Sequence, residues 1–195
     1  MPRLASVLLA LTMFASTAHA SSVMAKYVQA VNGTTIKVDL HGKAMTVRMY
    51  GVATPDPNDK EAELQRLGKE STAFLATLLK AQWVYVEFPG GEPRADQHGI
   101  VDAYVYVHKG STATFLNEKL VTEGLAIVNR RVKTPYTEKL LAAEDLARTN
   151  ARGMWGAFKD GGGKAIAAGS QMTTYIGEVQ QSRNPYLSRW MSSYY

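Results

Sequence analysis

The chain of 195 residues contains no cysteine. This absence excludes a disulfide framework, a metal site with thiolate ligands and a cysteine nucleophile. Stability must therefore come from core packing, which a chain of this length can supply. With 46% hydrophobic and 20% charged residues, the composition is typical of a soluble globular protein with one main core.

Long hydrophobic runs are absent after the first twenty residues, MPRLASVLLALTMFASTAHA. This segment places Arg3 before an apolar stretch and ends in Ala18-His19-Ala20, a pattern typical of a secretory signal peptide. The alternative, an uncleaved membrane anchor, is disfavoured because a spanning helix needs roughly 20 apolar residues. We predict a signal peptide at residues 1–20, cleavage before Ser21, a periplasmic or secreted protein, and no transmembrane span in the mature chain.

The excess of positive charge is small. The formal net charge is +5, and removal of Arg3 with the signal peptide lowers it to +4 (5 − 1). Many proteins without a nucleic-acid partner are equally basic. Charge alone therefore neither requires nor excludes binding to nucleic acid.

Short segments of alternating hydrophobicity run from Tyr27 to Val52, separated by Asn32-Gly33 and His41-Gly42-Lys43. This pattern predicts three strands joined by tight hairpins, at about residues 25–32, 35–41 and 44–52. Alternation assigns to the core Ile36, Val38 and Leu40 of the second strand and Met45, Val47 and Met49 of the third. Arg48 then lies on the opposite face of the third strand.

The remaining periodicity predicts a helix at residues 63–80, strands at 83–88 and 101–107, a short helix at 115–123 and a last helix at 135–150. Five strands and three helices predict a β-rich α+β fold, a five-stranded Greek-key barrel of the OB type. The composition changes after Trp155. We therefore assign residues 21–156 to the barrel domain and 157–195 to a glycine-rich linker and aromatic C-terminal extension.

Several segments between about residues 26 and 155 resemble the staphylococcal nuclease (thermonuclease-like) family. In order they are VNGTTIKV, TVRMYGVATPD, GKESTAFLATLLK, ADQHGIVDAYVYV, LNEKLVTEGLAIV and AEDLARTNARGMW. The resemblance implies the OB-type barrel and, for the family, calcium-assisted hydrolysis of phosphodiesters. There, two carboxylates and a backbone carbonyl hold the calcium, a glutamate activates or orients water, and two arginines stabilise the charged phosphorus centre. A shared fold does not by itself carry this function over.

The positions that hold calcium in the family lack their carboxylates in this chain. The family's DGDT hairpin corresponds to Asn32-Gly33-Thr34-Thr35, so that Thr34 replaces the metal-binding aspartate. The second metal carboxylate corresponds to Ala53, and Thr54 matches the position that supplies the carbonyl. Because calcium affinity follows the number of anionic oxygen ligands, the resemblance implies no metal site here.

The positions that act on the phosphate are only partly retained. The catalytic glutamate corresponds to Asp56, which is one methylene shorter. The first arginine corresponds to Arg48, whereas the second, in the family's DxYGR block, corresponds to Ile100. Arg48 and Asp56 are therefore remnants, and Thr34, Ala53 and Ile100 are altered positions.

Three other arrangements could replace the lost groups. A relocated acidic site would use Asp56 with Asp59, Glu61 and Glu63, although acids before a helix are more often favoured by its N-terminus. Arg94 could occupy the place that Ile100 leaves. His98 and His108 lack the spacing of a metal site, so no metal ligand is assigned.

The C-terminal extension is rich in aromatic residues, with Tyr186 and Trp190 near Arg183 and Arg189. These residue types stack on nucleic-acid bases and are equally enriched where proteins bind one another. Since the surrounding residues are apolar, we expect the extension to dock on protein, either its own barrel or a partner.

These observations leave three hypotheses. The one we favour is an exported, catalytically inactive binding or assembly module of the cell envelope, with a protein partner bound through the extension and no cofactor. The second is an exported metal-dependent nuclease that hydrolyses DNA or RNA and uses Ca²⁺. The third is a single-stranded nucleic-acid binder that does not cleave, because OB-type barrels commonly bind single strands.

Overall fold

The computed structural model describes residues 22–157 and 185–195. The predicted signal peptide and most of the predicted linker lie outside these ranges. The strands are β1 (Val23–Ala30), β2 (Thr35–Leu40), β3 (Lys43–Met49), β4 (Val52–Ala53), β5 (Trp83–Glu87), β6 (Ile100–Lys109), β7 (Thr112–Phe115) and β8 (Ile127–Val128). The helices are α1 (Ala62–Leu79), α2 (Leu116–Thr122), α3 (Thr137–Thr149), a 3₁₀ helix (Gly153–Ala157) and α4 (Pro185–Ser192).

Five strands close into the predicted barrel. Antiparallel pairing gives the order β3-β2-β1-β5-β6, and a parallel pairing of β3 with β6 closes the ring. In this parallel pair, Arg48 lies beside Asp102 and Met49 beside Ala103. The prediction of a five-stranded OB-type α+β barrel is therefore confirmed. A separate two-stranded ladder joins β4 to β8.

The barrel interior holds most of the side chains that alternation assigns to it, whereas Leu40 and Met45 are partly buried and pack against the core. Ile36, Val47, Met49 and Val105 are at most 1% exposed, because alternate side chains of a strand face the same side. Helix α1 covers one end of the barrel with Leu75 and Leu79. The three helices predicted within the barrel domain are present, with boundaries shifted by up to two residues.

Strands β7 and β8, the 3₁₀ helix and α4 are not among the predicted elements, and α3 begins later than predicted. Strand β7 follows the turn at Gly110, whose φ of +61° suits glycine, and pairs with β6. Its TATF sequence alternates threonine with Ala113 and Phe115, but the run has only four residues, and the helix predicted at residues 115–123 includes Phe115. Helix α3 begins at Thr137 rather than at Pro135, because the Thr134 hydroxyl accepts the Tyr136 N–H (3.1 Å) in a turn that precedes the helix.

Helix α4 packs on the barrel domain. Leu187 and Met191 are fully buried in a second hydrophobic cluster that includes Leu64, Leu67 and Trp155. This cluster lies between α1, α3 and the 3₁₀ helix, beside the main core. The described part of the C-terminal extension therefore docks on its own domain.

Within residues 22–157 and 185–195, no helix has the length and hydropathy of a membrane span.

Candidate functional site

A pocket of about 330 Å³ opens where the β1–β2 turn, the end of β3 and strand β4 meet. Its polar lining residues are Asn32, Thr34, Thr35, Arg48, Thr54, Asp102, Asn129 and Tyr194. Four positions that the resemblance singles out meet in this pocket: Thr34, Arg48, Ala53 and Thr54. Asp56 and Ile100 are not among its lining residues.

The β1–β2 turn places Thr34 in the pocket wall. The Asn32 carboxamide oxygen accepts the Thr34 N–H (3.0 Å), and the Thr34 carbonyl accepts the Met49 N–H (2.8 Å). A Cβ at Gly33 would lie 2.4 Å from Cβ of Ser71 in α1, so only glycine lets the turn approach this helix. The turn is thus fixed in place, with a hydroxyl at the position of the family's metal carboxylate.

Arg48 is held by two carboxylates. Its Nε donates to Oδ1 of Asp102 at 2.7 Å, and its Nη2 donates to Oδ2 of the same carboxylate at 3.2 Å. Nη2 also lies 3.4 Å from Oδ2 of Asp96. A carboxylate fork of this kind occupies the guanidinium edge that would otherwise bind a phosphate.

The pKa shifts reflect this pairing. The hydrogen bond to Asp102 raises the pKa of Arg48 above its usual value, against the opposing effect of partial burial. The backbone N–H of Ile100 lowers the pKa of Asp96, and the His98 N–H and the charge of Arg48 act in the same direction. Arg48 and Asp96 therefore stay ionised near neutral pH. With Asp102, two carboxylates surround one guanidinium.

The loop that follows β4 carries the remaining family positions. Ala53 is 6% exposed and packs in the second hydrophobic cluster. The loop runs against α1 at Gly68, where a Cβ would lie 2.6 Å from the Pro55 carbonyl oxygen. Asp56 is exposed, and its carboxylate accepts the N–H of Asn58 (2.7 Å) in a local turn. The one retained carboxylate is thus outside the pocket lining.

The acidic residues near Asp56 serve the entry into α1. Asp59 accepts the N–H of Glu61 (2.9 Å), and Glu63 pairs with Arg66 at 2.6 Å, a hydrogen bond that lowers the pKa of Glu63. No group of three histidine, aspartate or glutamate side chains suited to a metal ion occurs in the described part of the chain. The residues present do not fit a calcium site, either at the family position or in the acidic loop.

The other sequence-derived candidates lie apart from the pocket. Ile100 begins β6 and pairs with Thr46, and Arg94 is exposed in the preceding loop. His98 contacts Gln97 (3.2 Å) in that loop, whereas the ring of His108 packs against Tyr85, with centroids 4.3 Å apart. None of these side chains supplies the pocket with the charge that the family position would carry.

The end of the chain contributes to the pocket. The Tyr194 carbonyl accepts the backbone N–H of Arg130 (3.0 Å), which brings Tyr194 to the pocket wall. The ring of Tyr195 lies under the Arg130 guanidinium at 4.1 Å, and its hydroxyl donates to Glu144 at 3.2 Å. These contacts hold Tyr194 and Tyr195 beside the pocket that Thr34, Arg48 and Ala53 line.

The aromatic and basic residues predicted in the extension divide between two environments. Trp190 is half-buried, with its ring 5.3 Å from that of Tyr194. Tyr186 and Arg189 are exposed on α4. Arg183 lies outside the described residues. The half-buried aromatic residues therefore contact the domain itself, whereas Tyr186 and Arg189 keep exposed side chains.

Asp102 and Tyr194 are site residues that the sequence analysis did not predict. Asp102 lies on the outward face of β6, a position that alternation with Val101 and Ala103 does indicate. Its contact with Arg48 follows only from the parallel β3–β6 register, which sequence periodicity does not reveal. Tyr194 is separated from the pocket residues by a long stretch of chain, and no local signal links them.

Comparison with known proteins agrees with the geometry. The family model described as "Staphylococcal nuclease homologue" matches residues 46–157. The chain is 32% identical over 142 residues to a protein named thermonuclease from Staphylococcus hyicus, and this alignment covers 72% of the chain and 80% of that protein. It is also 32% identical over 129 residues to Endonuclease YncB of Bacillus subtilis (strain 168), in an alignment that covers 65% of the chain and 59% of YncB.

The chain belongs to the staphylococcal nuclease family. It spans about three fifths of the length of YncB and 42% of the length of a third similar protein, the SPbeta prophage-derived endonuclease YokF, to which it is 31% identical. The family membership accounts for the barrel, and the resemblance predicts the arginine at position 48. It does not account for Thr34, Ala53 and the pairing of Arg48 with Asp102.

Proposed function

We propose that this protein is an exported member of the family that does not hydrolyse phosphodiesters and acts as a binding or assembly module in the cell envelope. The observation that carries the proposal is the charge balance of the pocket. A hydroxyl and a methyl group stand at the metal-ligand positions Thr34 and Ala53, and the one retained arginine is paired with Asp102 at 2.7 Å.

The physical cost of these changes is large. Calcium needs several oxygen ligands, with carboxylates among them to set its affinity. Loss of one donor that stabilises transition-state charge costs about 3 kcal/mol, or roughly a hundredfold to a thousandfold in rate. Ile100 at the second arginine position removes one such donor, and the pairing of Arg48 with Asp102 weakens the other.

The proposed setting rests on the two ends of the chain. The N-terminal pattern of Arg3, an apolar run and Ala18-His19-Ala20 supports export. Tyr186 and Arg189 are exposed on α4, where residues of these types commonly anchor a protein partner. In this proposal, the exposed side of α4 is the surface for a partner in the envelope.

A second candidate is an active nuclease, which the names of the relatives favour. It would depend on Asp56 and Arg48. The exposed position of Asp56, in a turn outside the pocket lining, weighs against this alternative. A barrel that binds single strands without cleaving them is the third candidate and is distinguished by the same experiment.

The test is a cleavage assay on single-stranded DNA and RNA with the mature protein in calcium, manganese or chelator. A Thr34→Asp, Ala53→Asp, Ile100→Arg variant restores the family's charges, and adding Asp102→Leu removes the carboxylate nearest to Arg48. We expect no metal-dependent cleavage by the unmodified protein. Metal-dependent cleavage that disappears in Asp56→Ala would refute the proposal in favour of the nuclease.

Salt-dependent retention of an oligonucleotide without cleavage would favour the third candidate, because phosphate contacts release counterions. If the protein is a binding or assembly module of the cell envelope, cross-linking in intact envelopes should capture a protein partner through α4. Tyr186→Ala with Arg189→Ala should abolish that capture, whereas Lys69→Ala, an exposed change on α1, should not.

A further inference from the structure

The pocket contains several polar groups that can form hydrogen bonds with a ligand, although it lacks the family's calcium-binding carboxylates. Thr34 and Thr35 are 6% and 4% exposed, yet both line the pocket. In the described part of the chain, the hydroxyls of Thr35 and Thr54 form no hydrogen bond. Asn32 and Asn129 add carboxamides, each of which offers a donor and an acceptor.

The paired Arg48 and Asp102 can still bind a ligand, but not primarily an anion. Nε and Nη2 of Arg48 are engaged by carboxylates, whereas Nη1 donates to no partner in residues 22–157 and 185–195. Asp102 keeps unused acceptor capacity, since each carboxylate oxygen has two lone pairs. The pair therefore presents a donor beside an acceptor, and with Asp96 at Nη2 the negative charges outnumber the positive one, which disfavours an anionic ligand.

Tyr194 lines the pocket, and its ring packs against that of Trp190 with centroids 5.3 Å apart. Its position depends on the backbone bond from Arg130 to the Tyr194 carbonyl (3.0 Å) and on the burial of Leu187 and Met191 beneath α4. A tyrosine ring combines an apolar face with a polar tip. The C-terminal extension thus supplies the one aromatic side chain of the pocket other than Tyr50.

We infer that the pocket binds a neutral, polyhydroxylated ligand of the sugar class. Neighbouring hydroxyls of such a ligand would donate to Asp102 and accept from Nη1 of Arg48, while further hydroxyls meet the threonines and asparagines. Its apolar C–H face would lie against Tyr194. This inference rests on the proposed function, because it requires a pocket that does not hold calcium and phosphate.

The inference is tested by ¹H–¹⁵N NMR titration of the mature chain with glucose, N-acetylglucosamine, cellobiose and diacetylchitobiose, and separately with inorganic phosphate. We expect saturable shifts of the Thr34, Thr35 and Asn129 amides with at least one of the sugars and none with phosphate. Asp102→Asn should weaken sugar binding about tenfold, the effect of losing a charged hydrogen-bond acceptor. Combined with Asp96→Asn, the same change should allow phosphate to shift these amides, because both carboxylates that pair with Arg48 are then removed.

Asp145→Asn is the matched control. It removes the same charge from an aspartate that is 47% exposed on α3, outside the pocket lining, and should leave sugar binding unchanged. Absence of saturable shifts with all four sugars, or phosphate binding to the unmodified protein at these amides, would overturn the inference. The separate cleavage assay tests the proposed function. If the protein neither cleaves nucleic acid nor binds sugar, only the present inference is refuted.

Discussion

The guanidinium of Arg48 faces the carboxylate of Asp102 across the parallel β3–β6 pair, with Nε 2.7 Å from Oδ1. By the sequence resemblance, Arg48 corresponds to an arginine that acts on the phosphate in the family. The aspartate neutralises it from the neighbouring strand. Arg48 therefore occupies the family's position in the fold while its charge pairs with Asp102.

The Arg48–Asp102 pair should contribute little to stability. Both side chains are at least one third exposed, so solvent screens the pair, and we expect a coupling free energy below about 1 kcal/mol. Urea denaturation of Arg48→Gln, Asp102→Asn and the double variant gives this value as a double-mutant cycle. A coupling above about 2 kcal/mol would mean that the pair is mainly a structural element.

Docking of the C-terminal extension should depend on Leu187. Its side chain is fully buried, and truncation of a buried leucine to alanine costs about 2 kcal/mol or more. We expect Leu187→Ala to speed amide exchange of residues 185–195 by about 30-fold relative to the barrel. Native-state hydrogen exchange measures this directly.

Arg189→Ala is the control for that variant, because Arg189 is exposed on the same helix. It should change exchange of the extension only slightly. Equal effects of the two variants, or no effect of Leu187→Ala, would show that α4 is not held by its buried face.

Glu144 should give stability a specific pH dependence. Its side chain is 1% exposed, and burial raises its pKa above the usual 4.5, a shift that Arg130 partly opposes. A carboxyl with a raised folded-state pKa binds protons more readily in the folded protein than in the unfolded chain. Its favourable contribution is therefore complete below pH 4.5 and is lost as the pH rises through the folded-state pKa.

The measurement is the free energy of unfolding of the unmodified protein and of Glu144→Gln across this pH range. Because glutamine does not titrate, the unmodified protein should lose stability relative to the variant as the pH rises. Glu138→Gln, a change in the first turn of the same helix, should not produce this difference. Parallel pH profiles for the unmodified protein and Glu144→Gln would contradict the assignment.

The sequence allowed much of the barrel to be predicted. Alternation assigns Ile36, Val38, Val47 and Met49 to the interior, and the structure buries all four. Such local patterns are reliable because a one-residue slip in register would turn these side chains outward. The resemblance to the family then supplied the strand order, which periodicity alone leaves open.

The candidate site was predictable only in part. Thr34, Ala53 and Arg48 could be placed in one pocket from the resemblance. The contact of Arg48 with Asp102 depends on a strand pairing between residues 54 positions apart, and the place of Tyr194 depends on how the extension docks. Neither follows from local sequence, because both arise from tertiary packing.

Calcium titration of the mature protein tests the central claim most directly. Followed by ¹H–¹⁵N NMR beside a Thr34→Asp, Ala53→Asp variant, it reports on the positions where the family binds its metal. We predict no saturable shift at the Thr34 and Ala53 amides of the unmodified protein, and saturable shifts in the variant. Saturable calcium binding at these amides in the unmodified protein would contradict the account of a pocket that no longer supports metal-assisted hydrolysis.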